Sequence, residues 1–204
     1  MYAIITDGSI SKYINHPKPV TIGDVQYPAK IFSIWTASEL AAIGIIEVTF
    51  DNSKKKDEKW YVNTNQTYTY DASAGTVTAA YGDATAKAHA DSLFTAQDET
   101  DGLGTEGEIK SRGLKYNLIQ TLKQQAAGEL QKTDWYIVRK ADAGTAVPSS
   151  ITNHRAAVRT KTAEMETAIT NAADTPALET LYTYTEQEDG SVTRPLGELP
   201  TLES

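Results

Sequence analysis

Leu114, Leu118, Leu122, Ala126 and Leu130 recur every four residues, and Ile119 widens the row. Only an α-helix brings residues at that spacing onto one face, so the segment beginning near Glu108 is predicted to be a helix with a stripe that must be buried against something. Gly113 and Gly128 weaken its ends by roughly 1 kcal/mol each relative to alanine, which leaves tertiary or subunit contacts to carry it. A second helix is predicted from Pro148-Ser149-Ser150 to about Ala172. Proline suits its first turn, and Ile151, Val158 and Met165 form a heptad-spaced row that Ile169 continues. Asp174-Thr175-Pro176 ends that helix and permits a short one from Ala177 to Tyr182. Residues 186–204 carry Pro195, Gly197 and Pro200 and read as an extended arm.

The first eighty or so residues have a different period. Tyr2 to Thr6 and Ser9 to Ile14 flank the turn signal Asp7-Gly8, which predicts an opening hairpin. Val20 to Gln26 contains a second turn signal at Gly23-Asp24. Thr36 or Ser38 can cap a short helix over Glu39 to Ile43 that stops at Gly44. Ile45 to Phe50, Trp60 to Val62, Gln66 to Tyr70 and Thr76 to Tyr81 then read as strands of a meander. Alternation in Thr67-Tyr68-Thr69-Tyr70 puts both tyrosines on one face, where they complete a small core with Trp60 or present an aromatic ligand surface.

Between these halves, residues 83–107 are rich in Ala, Asp, Thr and Gly and read as a polar linker docked through Leu93-Phe94. The expected fold class is α+β: a small N-terminal antiparallel β-meander domain (1–82), the linker, a C-terminal α-helical hairpin (108–185) and the arm (186–204).

Composition narrows the function. With 27 acidic against 19 basic residues the formal net charge is −8, which disfavours a general nucleic-acid surface. The only short basic block, Lys54-Lys55-Lys56, is followed at once by Asp57-Glu58 and reads as a solvated turn. Absence of cysteine removes disulfides, thiolate catalysis and cysteine metal sites together. No charged start precedes a long apolar run, and the apolar stretch Leu40 to Val48 is interrupted by Gly44 and Glu47, so neither a secretory signal nor a membrane span is expected.

No residue pattern predicts catalysis, a cofactor or a metal. His16, His89 and His154 lie far apart in sequence, and no Gly-x-Ser-x-Gly elbow is present. Gly102 to Gly107 lacks a following Lys-Ser or Lys-Thr and makes a poor phosphate loop. Asp98, Glu99, Asp101 and Gly102 invite comparison with a calcium loop, but the glycine and later acids fall out of register. The residues expected to matter are structural or interaction anchors: Asp134 at a turn after Thr133, Trp135 buried where the helices meet, and Arg155 with Arg159 one turn apart on one helix side. Trp60, Tyr68 and Tyr70 are their counterparts in the N-terminal half.

Thr133-Asp134-Trp135, Pro148 and Arg155-Ala156-Ala157-Val158-Arg159 resemble the C-terminal part of tail-fibre-assembly and tail-assembly-chaperone-like proteins of tailed bacteriophages. In that family a Thr-Asp-Trp segment is followed, after a proline-containing loop, by a Tyr-Arg-x-x-Leu-Arg-like helix start; here His154 takes the aromatic position and Val158 replaces the leucine. Tyr2-Ala3-Ile4-Ile5 with Asp7-Gly8, and Tyr27 to Phe32 through Trp35, are similar to N-terminal modules of small phage tail proteins. The resemblance implies no catalytic residue and no cofactor. It implies a chain made in the host cytoplasm that acts in a virion tail, through contacts with other tail or fibre proteins in a symmetric assembly. The expected role is a structural component near the fibre attachment or baseplate; the alternatives are a transient tail-fibre assembly chaperone and a carbohydrate-binding module on Trp60, Tyr68 and Tyr70.

Overall fold

The computed structural model describes residues 1–202 and divides into two compact units, Met1–Thr85 and the remainder from Ala86.

In the first unit Asp7 and Gly8 both adopt positive φ (51° and 75°), the geometry that a tight two-residue hairpin needs, and they join β1 (Tyr2–Thr6) to β2 (Ser9–Ile14). A small antiparallel hairpin, β3 (Val20–Ile22) and β4 (Val25–Tyr27), follows. Two short helices come next, α1 (Ile31–Ile34) and α2 (Ala37–Ala42). Thr36 starts α2 with a reciprocal cap: its hydroxyl accepts from the Glu39 amide, and the Glu39 carboxylate accepts from the Thr36 amide at 2.7 Å. Gly44, at φ +79°, ends the helical stretch and turns the chain into β5 (Ile45–Asp51). The unit continues with β6 (Tyr61–Val62), β7 (Thr67–Asp71) and β8 (Thr76–Ala80), and β9 (Thr85–Ala86) lies at the division.

The main sheet has the order β2-β1-β5-β8-β7 and is mixed. β1 runs antiparallel to β2 and β5, β7 antiparallel to β8, but β5 and β8 are parallel, with Val48 opposite Val77 and Phe50 opposite Ala79. That pairing overturns the expected meander. β7 takes the edge, so β8 fits between it and β5 in the direction of β5, a topology that needs a crossing connection and not a hairpin. The central strands are buried on both faces. Ile4 and Ile45 point into one cluster with Ile14, Val20, Ile31 and Leu40; Ala3 and Val48 point into another with Val77 and Ala79.

In the second unit the segment expected to be a linker is folded. β10 (Ser92–Leu93) pairs antiparallel with β11 (Ile109–Ser111) around α3 (Ala96–Thr100). Asp98 closes a capping box with Thr95 and binds Lys110 at 2.6 Å, while Glu99 accepts from the Glu106 amide, so both carboxylates serve the loop itself. Residues 109–111 being strand, the helix expected from Glu108 starts instead as α4 (Leu114–Gln131). Gly113 is its N-cap, with an amide bonded to Asp91 at 2.8 Å, and a Cβ there would stand 2.3 Å from the Ala90 carbonyl.

α5 (Asp134–Ala143), α6 (Ser149–Asn171) and α7 (Thr175–Tyr182) follow, then a short hairpin of β12 (Thr185–Glu186) and β13 (Val192–Thr193). Lys115 reaches the Thr170 carbonyl, Lys123 pairs with Glu166, and Arg155 reaches Leu130, so α4 and α6 pack antiparallel. Their core uses Leu122 and Ala126 against the row Ile151, Val158, Met165 and Ile169. In the segment expected to be an extended arm, Leu196 is buried and its amide bonds the Leu181 carbonyl. The architecture is therefore interleaved α/β, with helices and strands alternating from Ile31 to Tyr182, in place of a β-meander followed by a helical hairpin.

Candidate functional site

The last carbonyls of a helix have no intrahelical partner, and α4 ends where the chain turns sharply into α5. Arg155, nearly two turns into α6, resolves this. Its Nη1 donates to the Leu130 carbonyl at 2.7 Å, the Thr133 hydroxyl oxygen at 2.7 Å and the Asp134 carboxylate at 2.8 Å. The Thr133 hydroxyl in turn donates to the Leu130 carbonyl at 2.9 Å. A cation at a helix C-terminus is also favoured by the partial negative charge of the exposed carbonyls. Thr133 is 0% and Arg155 9% exposed. The Thr-Asp-Trp segment and the arginine of the next helix thus form one joint, in which Arg155 fixes the angle at which α5 leaves the helix pair.

α5 departs from the rest of the unit. None of its ten residues is buried. Asp134 occupies its first turn and Lys140 its last, both matching the helix dipole, and Gly144 at φ 68° terminates it. Its interior carries the apolar side chains. Trp135 is 51% and Val138 65% exposed, and Ile137 is exposed as well. Trp135 and Tyr136 stack with centroids 3.9 Å apart, and the Arg139 guanidinium lies over both rings at 4.6 and 5.6 Å. The stack presents an aromatic and cationic ledge to solvent.

Trp135 is accordingly not the buried anchor expected of it; Thr133 and Arg155 take that place, because burial of an aromatic needs a facing element and none of the described residues covers this side of α5. Arg155 and Arg159 also separate. Arg159 lines a cavity of about 300 Å³ between α4 and α6, floored by Ala126, Ala127 and Leu130 and flanked by Glu166. Of the residues in this stack, Tyr136 was not singled out by sequence. The i, i+4 spacing of Trp135 and Arg139 was the available signal. The Arg139 Nε and His154 Nε2 are buried without a hydrogen-bond partner among the described residues.

In the first unit the expected aromatic residues divide into a buried Trp60 and half-buried Tyr68 and Tyr70. Trp60 is 3% exposed. Tyr68 packs on Tyr13 with centroids 4.7 Å apart and points its hydroxyl at the Met1 sulfur, and Tyr70 packs against the Val48 and Val77 cluster. Trp60 is buried outside that cluster and offers no ring face for a sugar to stack on, while Tyr68 and Tyr70 remain half-buried. Among the described residues no group of three or more His, Asp or Glu side chains could hold a metal ion, and no helix is long and apolar enough to cross a membrane. Comparison with protein-family models, with curated proteins and with solved structures found no match for this chain.

Proposed function

We propose that this chain acts through protein–protein contact in building the tail of a tailed bacteriophage, as a transient assembly partner of a tail or fibre protein, with the outer face of α5 as its contact. The observation that carries the reading is a helix with no buried residue, exposing Trp135, Ile137 and Val138, on a joint fixed by buried Arg155. Tryptophan, tyrosine and arginine are the residues that dominate binding energy at interfaces, and a preset ledge loses little entropy on docking. Elsewhere the two units fill their own cores: Ile14, Ile45, Val77, Val158, Ile169 and Leu178 are all inaccessible to solvent. Closed cores beside an open apolar face on α5 suit reversible binding better than burial that awaits assembly. The viral setting rests on the resemblance of the Thr133-to-Arg159 segment.

Co-expression with candidate fibre proteins of the same genome tests it. The wild-type chain should raise the yield of soluble, trimeric fibre, and an α5 variant carrying Trp135→Ala and Val138→Asp should not. Unchanged yield with and without the chain refutes the proposal.

A second reading, a structural component retained in the tail near the fibre attachment or baseplate, is favoured by a separate observation: Ile34, Phe50 and Val62 of the first unit are also exposed, so a permanent neighbour would have further apolar surface to cover. Mass spectrometry of purified virions separates the two, because a transient partner is missing from mature particles and a structural subunit is present.

A further inference from the structure

A different feature, in the first unit, points to a small-ligand chemistry that the α5 ledge does not involve. Tyr2 and Glu47 are direct partners across the antiparallel pair of β1 and β5, so their side chains leave the same face of the sheet. α1 and the turn after it bring Phe32 and Trp35 over that face. Phe32 packs on Tyr2 with centroids 4.8 Å apart, and Trp35 is held by an edge contact with Tyr27 at 5.7 Å. Together Tyr2, Phe32, Trp35 and Glu47 border a cavity of about 100 Å³ whose deep side is Leu40 and Ile45. That is about three waters' share of liquid volume, room for one head group and too small for a drug-sized ligand.

The chemistry of the walls is specific. Elsewhere this chain places its own cations over its rings: Lys59 over Trp60 at 4.4 Å, Arg112 over Tyr116 at 4.0 Å, Arg139 over Trp135 at 4.6 Å. Among the described residues none stands over Tyr2, Phe32 or Trp35, and the Glu47 carboxylate has neither an ion pair nor a hydrogen bond. Three half-buried aromatic side chains and an unpaired carboxylate at one small cavity match what an organic cation needs: ring faces of negative potential, apolar walls for its methylene or methyl groups, and a counter-ion at the mouth. We propose that this slot binds an alkylammonium group, with Tyr2, Phe32 and Trp35 as its walls and Glu47 as its counter-ion. The group can belong to a lysine side chain of a partner protein or to a free quaternary ammonium compound, which present the same chemistry to the slot.

The test is a titration of the full-length, ¹⁵N-labelled protein, following the Trp35 indole resonance, assigned by its loss in Trp35→Phe. The probes are tetramethylammonium, Nα-acetyl-lysine methylamide, and tert-butanol as a neutral molecule of similar shape to the first. A saturable shift with one or both cations, weakened about threefold to tenfold by Glu47→Gln, and no saturable shift with tert-butanol, is the expected result. Stronger binding of the lysine derivative assigns the slot to a protein side chain, and stronger binding of tetramethylammonium to a free compound. No saturable shift with either cation, an equal response to tert-butanol, or an unchanged affinity in Glu47→Gln overturns the proposal. Because Glu47 lies on the sheet surface and the readout is at Trp35, failure here leaves the α5 reading untouched.

Discussion

The Nη1 of Arg155 and the hydroxyl of Thr133 lie 2.7 Å apart, both withdrawn from water, and through them the end of α4, the start of α5 and the first turns of α6 share one hydrogen-bonded centre. Removing the guanidinium leaves the buried Thr133 hydroxyl oxygen without a donor and the Leu130 carbonyl with Thr133 alone to bond it. Arg155→Met keeps much of the volume and should still cost about 2–3 kcal/mol. At roughly 4 °C per kcal/mol for a unit of this size, differential scanning calorimetry should record a fall in Tm of about 8–12 °C for the second unit. A fall under about 3 °C would mean that the joint is held by packing alone.

Trp135 is expected to behave in the opposite way. Half exposed, it contributes little to folding, so Trp135→Ala should shift Tm by less than about 2 °C while impairing partner binding. Trp60→Ala removes a buried aromatic of the same size and should cost about 3–5 kcal/mol. Thermal unfolding of the two variants side by side checks the contrast, and equal losses would contradict it.

Asp98 supplies a pH dependence. The Lys110 ammonium, followed by the Thr95 amide and hydroxyl, holds its carboxyl down at about 2 against an ordinary 3.8. A carboxyl lowered on folding stabilises the folded form fully above its unfolded value and loses that contribution as pH falls through the folded one. The β10-α3-β11 segment should therefore keep this support above about pH 4 and lose it toward pH 2. Carbon-detected titration of the Asp98 carboxyl should give a midpoint near 2, and Lys110→Met should raise it; a midpoint near 3.8 would show that the pair does not form.

Gly113 meets the Ala90 carbonyl too closely for any side chain. Gly113→Ala should destabilise the second unit by about 1–3 kcal/mol through displacement of the 88–91 loop, although alanine is the better helix former. Gly128→Ala, with open space at its Cβ, should be neutral or stabilising. Chemical denaturation of the pair measures the difference.

What could be read from the sequence follows from the range of the interactions concerned. The Asp7-Gly8 hairpin and the heptad row Ile151, Val158 and Met165 are set by residues a few positions apart, and the structure keeps both. The parallel alignment of β5 with β8 was not legible, because a period of two assigns faces and says nothing of partner strands. The linker reading failed on composition: few apolar residues hid the Thr95-Asp98 capping box, whose local hydrogen bonds build α3 without a core. At α5 the run Trp135-Tyr136-Ile137-Val138 has the β-prone, apolar look of a buried segment. Its helicity comes from its ends and from the Arg155 joint, and its exposure depends on a facing element that the unit lacks. Thr133, the innermost residue of the joint, carries no motif of its own beyond its place before Asp134.

The proposed role of α5 is to dock a tail or fibre protein. Its most direct measure is the yield of soluble, trimeric fibre on co-expression with the wild-type chain, with Trp135→Ala plus Val138→Asp, and with no chain at all. Wild type should give a high yield and the double variant a yield near that of no chain, with the variant's own Tm staying within about 3 °C of wild type. A folded double variant that supports fibre assembly as well as wild type would contradict it.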